Sequence, residues 1–245
     1  MKTEIKYLGH SAFEIIIGGE NILIDPWLND NPVSPMKAKD FKKVNLIAAT
    51  HGHTDHFGDT MEILRNTDAK CICTTVVSWY LHLRGITKES GRNLALSQGG
   101  TVTEGNIRVS MVNAVHTSAL FADEWPLLRQ YYPDGGAVGY VVSSPDGTAI
   151  YHAGDTDLFM DMQLIQRKYK PAVAILPIGG RFTMDIESAV MACELIKPKI
   201  VIPMHYNTTP FIKCDVNDFV NLMSKEHPNI RVEVMDPGQV LTVTE

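Results

Sequence analysis

His51-Gly52-His53-Thr54-Asp55-His56 follows directly on the apolar run Lys43-Val44-Asn45-Leu46-Ile47-Ala48-Ala49-Thr50. The run is short enough to be a buried strand, so its end delivers three imidazoles and a carboxylate into one loop. Each of those groups needs a partner once it is partly buried, and a metal ion is the economical one. One hexapeptide is not a site, however. A catalytic zinc takes three protein ligands and keeps a position for water, and a two-metal site needs about twice as many.

Further ligands stand at other strand ends. His116 follows Val109-Ser110-Met111-Val112-Asn113-Ala114-Val115, Asp155 follows Ala149-Ile150-Tyr151-His152-Ala153-Gly154, and His205 follows Ile200-Val201-Ile202-Pro203-Met204. With His51, His53, Asp55 and His56 they make five imidazoles and two carboxylates, a set that suits two first-row divalent ions sharing a hydroxide. Asp25 ends the apolar stretch Leu23-Ile24 before Pro26, where a buried carboxylate must accept hydrogen bonds or orient a ligand histidine. His10, in a Gly-His-Ser turn, either touches substrate or bonds to backbone. His152 reads as a hydrogen-bonded strand histidine.

Outward from the motif the chain has one rhythm, repeated. Strands are expected at about 3 to 8, 12 to 17 and 21 to 25, with Gly18-Gly19 as a hairpin signal. The motif loop leads to a helix at 58 to 66, a strand at 69 to 74 and a helix at 75 to 84. The second half opens with strands at 101 to 104, 107 to 115, 137 to 143 and 148 to 152. It continues with helices at 158 to 168, 185 to 196 and 215 to 225, and strands at 172 to 177, 199 to 203, 230 to 234 and 239 to 243. Two meandering sheets, each followed by helices with an apolar face to cover, predict an α/β class, four-layer α/β/β/α sandwich with its active loops along one edge.

The 245 residues, 44% apolar and 20% charged, suit one globular domain with a sizeable core. A net charge of −6 speaks against a broad nucleic-acid footprint. The start Met1-Lys2-Thr3-Glu4-Ile5-Lys6-Tyr7 has no apolar leader, and no apolar run approaches the length that spans a bilayer, so a soluble cytoplasmic protein is expected. The four cysteines read as buried reduced thiols, with Cys71 and Cys73 expected on opposite faces of a strand.

The motif HGHTDH, the separate His116, Gly154-Asp155-Thr156 and His205, in that order across essentially the whole chain, resemble the metallo-β-lactamase superfamily. Gly9-His10-Ser11-Ala12-Phe13, Leu23-Ile24-Asp25-Pro26-Trp27, Pro177-Ile178-Gly179-Gly180-Arg181-Phe182-Thr183-Met184 and Ile202-Pro203-Met204-His205-Tyr206 resemble its metal-dependent hydrolase branch related to ascorbate-6-phosphate lactonase. The resemblance implies the four-layer sandwich of that superfamily. It places His51, His53 and His116 on one metal, Asp55, His56 and His205 on the other, and Asp155 between them, with zinc or manganese as the expected ions and iron or nickel also accepted. Asp55 would bind metal and steer a proton at once, which makes it the expected catalytic residue.

The expected activity is hydrolysis of a small anionic ester, lactone or phosphodiester. The alternatives are a nuclease or phosphodiesterase acting on RNA or nucleotides, a diiron redox protein, against which His53 and the missing flavin domain argue, and a noncatalytic metal-stabilised binding module. Arg181, just before a helix start with Thr183 or Asp185 as N-cap, is a candidate for binding substrate through its guanidinium and the helix dipole. The aromatic stretch Phe121 to Tyr132 is either a substrate lid or a subunit contact, which leaves homo-oligomerisation open.

Overall fold

A computed structural model describes residues 2–120 and 135–243, so the stretch from Phe121 to Tyr132 lies outside the described residues. Strands β1 (Thr3–Gly9), β2 (Ala12–Ile17) and β3 (Glu20–Ile24) form an antiparallel meander. Gly18 and Gly19 make the two-residue turn between β2 and β3 with φ of 61° and 88°, the left-handed conformation whose twist matches that of the flanking strands. Then β3, β4 (Leu46–Ala48), β5 (Lys70–Thr74) and β6 (Asn93–Leu96) pair in parallel. Parallel neighbours need crossovers: a loop with one 3-10 turn at Ala38–Asp40 joins β3 to β4, α1 (Thr54–Phe57) and α2 (Thr60–Asn66) join β4 to β5, and α3 (Thr75–Leu83) joins β5 to β6.

The second half repeats the plan. β7 (Thr101–Glu104), β8 (Ile107–Asn113), β9 (Val138–Ser143) and β10 (Ala149–His152) meander. β10 then continues in parallel through β11 (Val173–Pro177), β12 (Ile200–Met204) and β13 (Arg231–Val232), crossing over by α4 (Met162–Tyr169), α5 (Ile186–Ile196) and α6 (Val216–Glu226). The final strand β14 (Val240–Val243) returns to the first sheet, antiparallel to β1. Among the described residues the sheets therefore order as β14-β1-β2-β3-β4-β5-β6 and β13-β12-β11-β10-β9-β8-β7.

Three apolar layers follow from strand alternation. Ile5, Phe13, Ile24, Ala48, Ile72, Val109, Tyr140, Ile175 and Ile202 fill the space between the sheets. Their neighbours Leu23, Ile47 and Cys71 face Ile63, Val77 and Leu81 of the helices on the first sheet, and Ala174 and Val201 face Ile165, Ala189 and Phe219 on the second. The strands β4, β11 and β12 are buried on both faces, which is why they read as unbroken apolar runs. The α/β/β/α sandwich expected from sequence is the observed one.

Several local expectations change. The helix expected at 58 to 66 is α2, which starts at Thr60, and the short helix α1 lies ahead of it within the expected motif loop; the helix expected from 158 starts at Met162. Strand β6 has no counterpart among the expected strands. Cys71 and Cys73 lie on the same face of β5, both fully buried against the helices while Ile72 points between the sheets. Side chains alternate with period two, so positions i and i+2 must share a face, and the opposite placement is corrected.

Chain direction decides where function can reside. β1, β3 and β4 run the same way in one sheet, as do β8, β10 and β12 in the other. His10, Asp25 and His51 thus follow strand ends of the first sheet, and His116, Asp155 and His205 those of the second. Tyr140 of β9 fastens this edge from below, its buried hydroxyl donating to the carbonyl of Ala49 at 2.9 Å across the two sheets. Tyr140→Phe removes that donor beneath the motif loop and is expected to cost about 1–2 kcal/mol. Urea unfolding measures it, and an unchanged midpoint would mean that the cross-sheet bond contributes nothing.

Candidate metal centre

The loop after β4 is held by one carboxylate. Asp25 accepts from the Thr50 amide at 2.8 Å, from the Thr50 hydroxyl at 2.7 Å and from His56 Nδ1 at 2.7 Å, with both Asp25 and His56 fully buried. Because the Thr50 hydroxyl donates to Asp25, it accepts from His51 Nδ1–H at 3.0 Å. Both bonds fix tautomers. His51 and His56 are left with Nε2 as the nitrogen turned inward, the usual device for orienting an imidazole ligand. Asp25 itself sits at φ 48°, a left-handed conformation that Asp tolerates better than most residues.

Among the described residues three groups of donor atoms result, each with its atoms within 4.8 Å of one another: His51, His53 and His116; His51, His56 and Asp155; and His10, Asp55, His56 and His205. All seven side chains expected from sequence as ligands are brought together here. His51 Nε2 faces His53 Nδ1 at 3.0 Å. Asp155 lies at the junction, with Oδ1 3.3 Å from His56 Nε2, and Oδ2 3.1 Å from His205 Nε2 and 3.6 Å from His116 Nε2. Among the described residues its oxygen Oδ1, His56 Nε2 and His205 Nδ1 are buried without a partner in hydrogen-bonding geometry.

The charges respond to this crowding. Burial would raise the Asp155 carboxyl, but His205 and His56 beside it hold it well below the ordinary carboxylate range. For His56 burial works against the charged form, and the carboxylates of Asp155 and Asp25 overcome it, so the imidazole is raised well above its usual value. Burial lowers His51 and His116, with neighbouring imidazoles adding to the effect. Asp55 exposes 38% of its side chain to the cleft. Burial would raise its carboxyl, yet the hydrogen bond from His10 and the nearby His56 keep it well below normal.

His10 lies inside the centre and not on its open rim. It is buried, adopts φ 60°, and burial together with His205 lowers its imidazole to about 4. The strand-end rule that found the candidate ligands applied equally to Gly9-His10, at the end of β1. His152 is structural, its Nε2 donating to the Ser11 carbonyl at 3.0 Å and its Nδ1 accepting from the Gly154 amide at 3.2 Å.

Arg181 stands apart from these donor groups. It is exposed, with its guanidinium 5.5 Å from the ring centre of Phe182 and 5.0 Å from that of Phe211. The N-terminus of α5 already has a carboxylate, since Asp185 caps it by accepting from the Ser188 amide at 2.8 Å. Of the two N-cap candidates, Thr183 and Asp185, the structure selects Asp185.

Residues 4–205 match the family model described as the beta-lactamase superfamily domain. A "UPF0173 metal-dependent hydrolase" of Caldivirga maquilingensis is 44% identical over 241 residues, spanning 98% of this chain and 97% of that one. Among solved structures, the metallo hydrolase Igni18 of Ignicoccus hospitalis superposes with a TM-score of 0.87 at 36% identity over 100% of both chains. An isothiocyanate hydrolase from Delia radicum gut bacteria superposes with a TM-score of 0.74 over 98% of this chain and 99% of that one, at 16% identity, a likeness of fold alone.

Proposed function

We propose, because the chain belongs to the β-lactamase superfamily and to its UPF0173 metal-dependent hydrolases, that it hydrolyses a small anionic ester, lactone or phosphodiester at a binuclear centre. His51, His53 and His116 would hold one divalent ion and Asp55, His56 and His205 the other, with Asp155 between them and zinc or manganese as the preferred metals. The observation that carries this reading is Asp155. Its two oxygens face histidines of both groups, and Oδ1 meets His56 Nε2 with neither atom in a hydrogen bond. In the metal-free protein a proton on His56 answers the Asp155 charge, and a divalent ion between these donor atoms would take that proton's place.

Divalent ions at such a centre lower the pKa of water towards neutrality and polarise the carbonyl or phosphoryl oxygen of a substrate. The chain's own side chains do the rest. Asp25 and Thr50 keep His51 and His56 in the tautomers that present Nε2. Asp55, ionised and open to the cleft, would steer the proton of the attacking water by accepting its hydrogen bond. An anionic substrate would be held at the centre itself, since a chain of net charge −6 has little else to attract it. None of the described helices is long and apolar enough to cross a membrane, and a cytoplasmic site of action is part of this reading.

Metal-loaded protein is assayed on a chromogenic phosphodiester and on a phosphorylated lactone, with His116→Ala as the control for contaminating activity. Turnover of at least one of them, lost in His116→Ala and after treatment with chelator, is the expected result. Absence of turnover on both by protein shown to hold two equivalents of metal would overturn the hydrolytic reading. Asp55→Asn is expected to lower kcat with little change in thermal stability, and an unaffected kcat would remove Asp55 from proton handling.

A further inference from the structure

We infer that His10 is a positioning residue for Asp55: it fixes one carboxylate oxygen and thereby aims the other at the centre. This inference rests on the binuclear reading above. His10 Nε2 and Asp55 Oδ2 lie 3.2 Å apart, and His10 Nδ1 and the Thr208 hydroxyl 3.1 Å apart. An ionised carboxylate only accepts, so Nε2 carries the hydrogen and Nδ1 accepts from Thr208. Asp55 therefore selects the tautomer, and the Thr208 hydroxyl, which lies 3.1 Å from His10 Nδ1 and 3.4 Å from the Tyr206 carbonyl, supports it by turning its hydrogen to Nδ1. Oδ1 remains as the oxygen offered to a cation.

The surroundings are built to hold that ring still. Its edge meets Trp27 at 5.1 Å between ring centres, and its face tilts against His205 at 4.1 Å. The His10 carbonyl accepts from the Tyr7 hydroxyl at 3.2 Å and from the His205 amide at 2.9 Å. These anchors keep a non-glycine residue at φ 60°, a conformation that costs free energy and persists where the surroundings over-determine it. A purely space-filling residue would need neither polar partner. Asp55 is the half-exposed member of its donor group and belongs to a helix of four residues, so it gains the most from an external brace.

The test compares His10→Asn with His10→Gln in the full-length protein. Asn tolerates the left-handed backbone but is too short to reach Asp55, whereas the Gln amide can donate from near the Nε2 position. Metal affinity is read by chelator competition, separately from turnover. In His10→Asn the more weakly held of two ions is expected to bind about 10–100-fold less tightly, the usual loss when a partner of a metal ligand is removed. His10→Gln should stay within about threefold of wild type by the same reasoning. On whichever substrate is turned over, kcat falls in Asn and recovers in Gln with KM unchanged.

Wild-type affinity for both ions in His10→Asn would overturn the inference. So would equal losses in Asn and Gln when both metal-free variants melt with the wild type. Should the His10 variants fail to fold, Thr208→Val carries the test: losing the hydroxyl that holds His10 Nδ1 is expected to weaken the same ion, and unchanged binding overturns the inference. A wild-type protein that takes up no second equivalent of metal defeats the binuclear reading and this inference with it. Two equivalents with an unaltered His10→Asn defeats this inference alone.

Discussion

Asp155→Asn is expected to lower kcat/KM by a factor on the order of 10^3 or more, with the protein still folded and one equivalent of metal lost. Asparagine keeps the shape and one carbonyl oxygen. It loses the charge that His56, His205 and His116 all face within 3.6 Å. In the metal-free protein that charge holds a proton on His56, which is raised well above its usual value. Metal uptake must displace that proton. Wild-type affinity should therefore rise with pH while His56 remains protonated, by about tenfold per pH unit for each proton released. In Asp155→Asn, His56 binds its proton less tightly, and that part of the pH dependence should flatten. Elemental analysis and chelator titrations at several pH values measure both effects; two tightly held ions and near-normal turnover in the variant would sink the junction role.

Asp25→Ala should be the most destabilising single change at the centre, by about 3–5 kcal/mol, the range seen when one partner of a buried charged network is removed. Three donors lose their acceptor together: the Thr50 amide, the Thr50 hydroxyl and His56 Nδ1. The Ala side chain also meets the left-handed backbone at φ 48° less well than Asp does. For a chain of this length such a loss lowers the melting temperature by roughly 6–20 °C. Asp25→Asn separates the two causes, since it suits the backbone but brings a donor where acceptors are needed. Thermal unfolding of the metal-free proteins is the measurement. An Ala variant melting within about 2 °C of wild type would contradict the account, on the same conversion.

The sandwich was legible because its strands are buried on both faces or alternate cleanly, and because the crossovers after β4 and β5, and those after β10, β11 and β12, carry helices with an apolar face. The grouping of donor side chains was legible for a related reason: a polar His or Asp that ends an apolar strand is easy to see, and parallel strands in each sheet send such ends to one edge. Strand β6 was hidden because Asn93-Leu94-Ala95-Leu96 opens on a polar residue. Asn93 is buried only because its amide donates to the carbonyls of Ser78 and Ile86, which no local pattern announces. Arg181 resting on Phe211 is equally long-range. The bracing of His10 by Thr208 joins two turns that only folding brings together. The misplaced pair Cys71 and Cys73 was different: the period of a strand already determined their common face.

The position of β14 bears on how the molecule is assembled. Its pairing of Lys6 with Val240 joins opposite ends of the described chain, so the first sheet acquires its outer strand only after the second sheet's segment has been traversed. Closing so long a loop adds little to the equilibrium cost, which grows only with the logarithm of length. It weighs more heavily on rate, because contacts far apart in sequence form slowly. Until β14 docks, β1 is an open edge with unpaired backbone groups beside an apolar face, and that interval is when two folding chains are most exposed to joining each other.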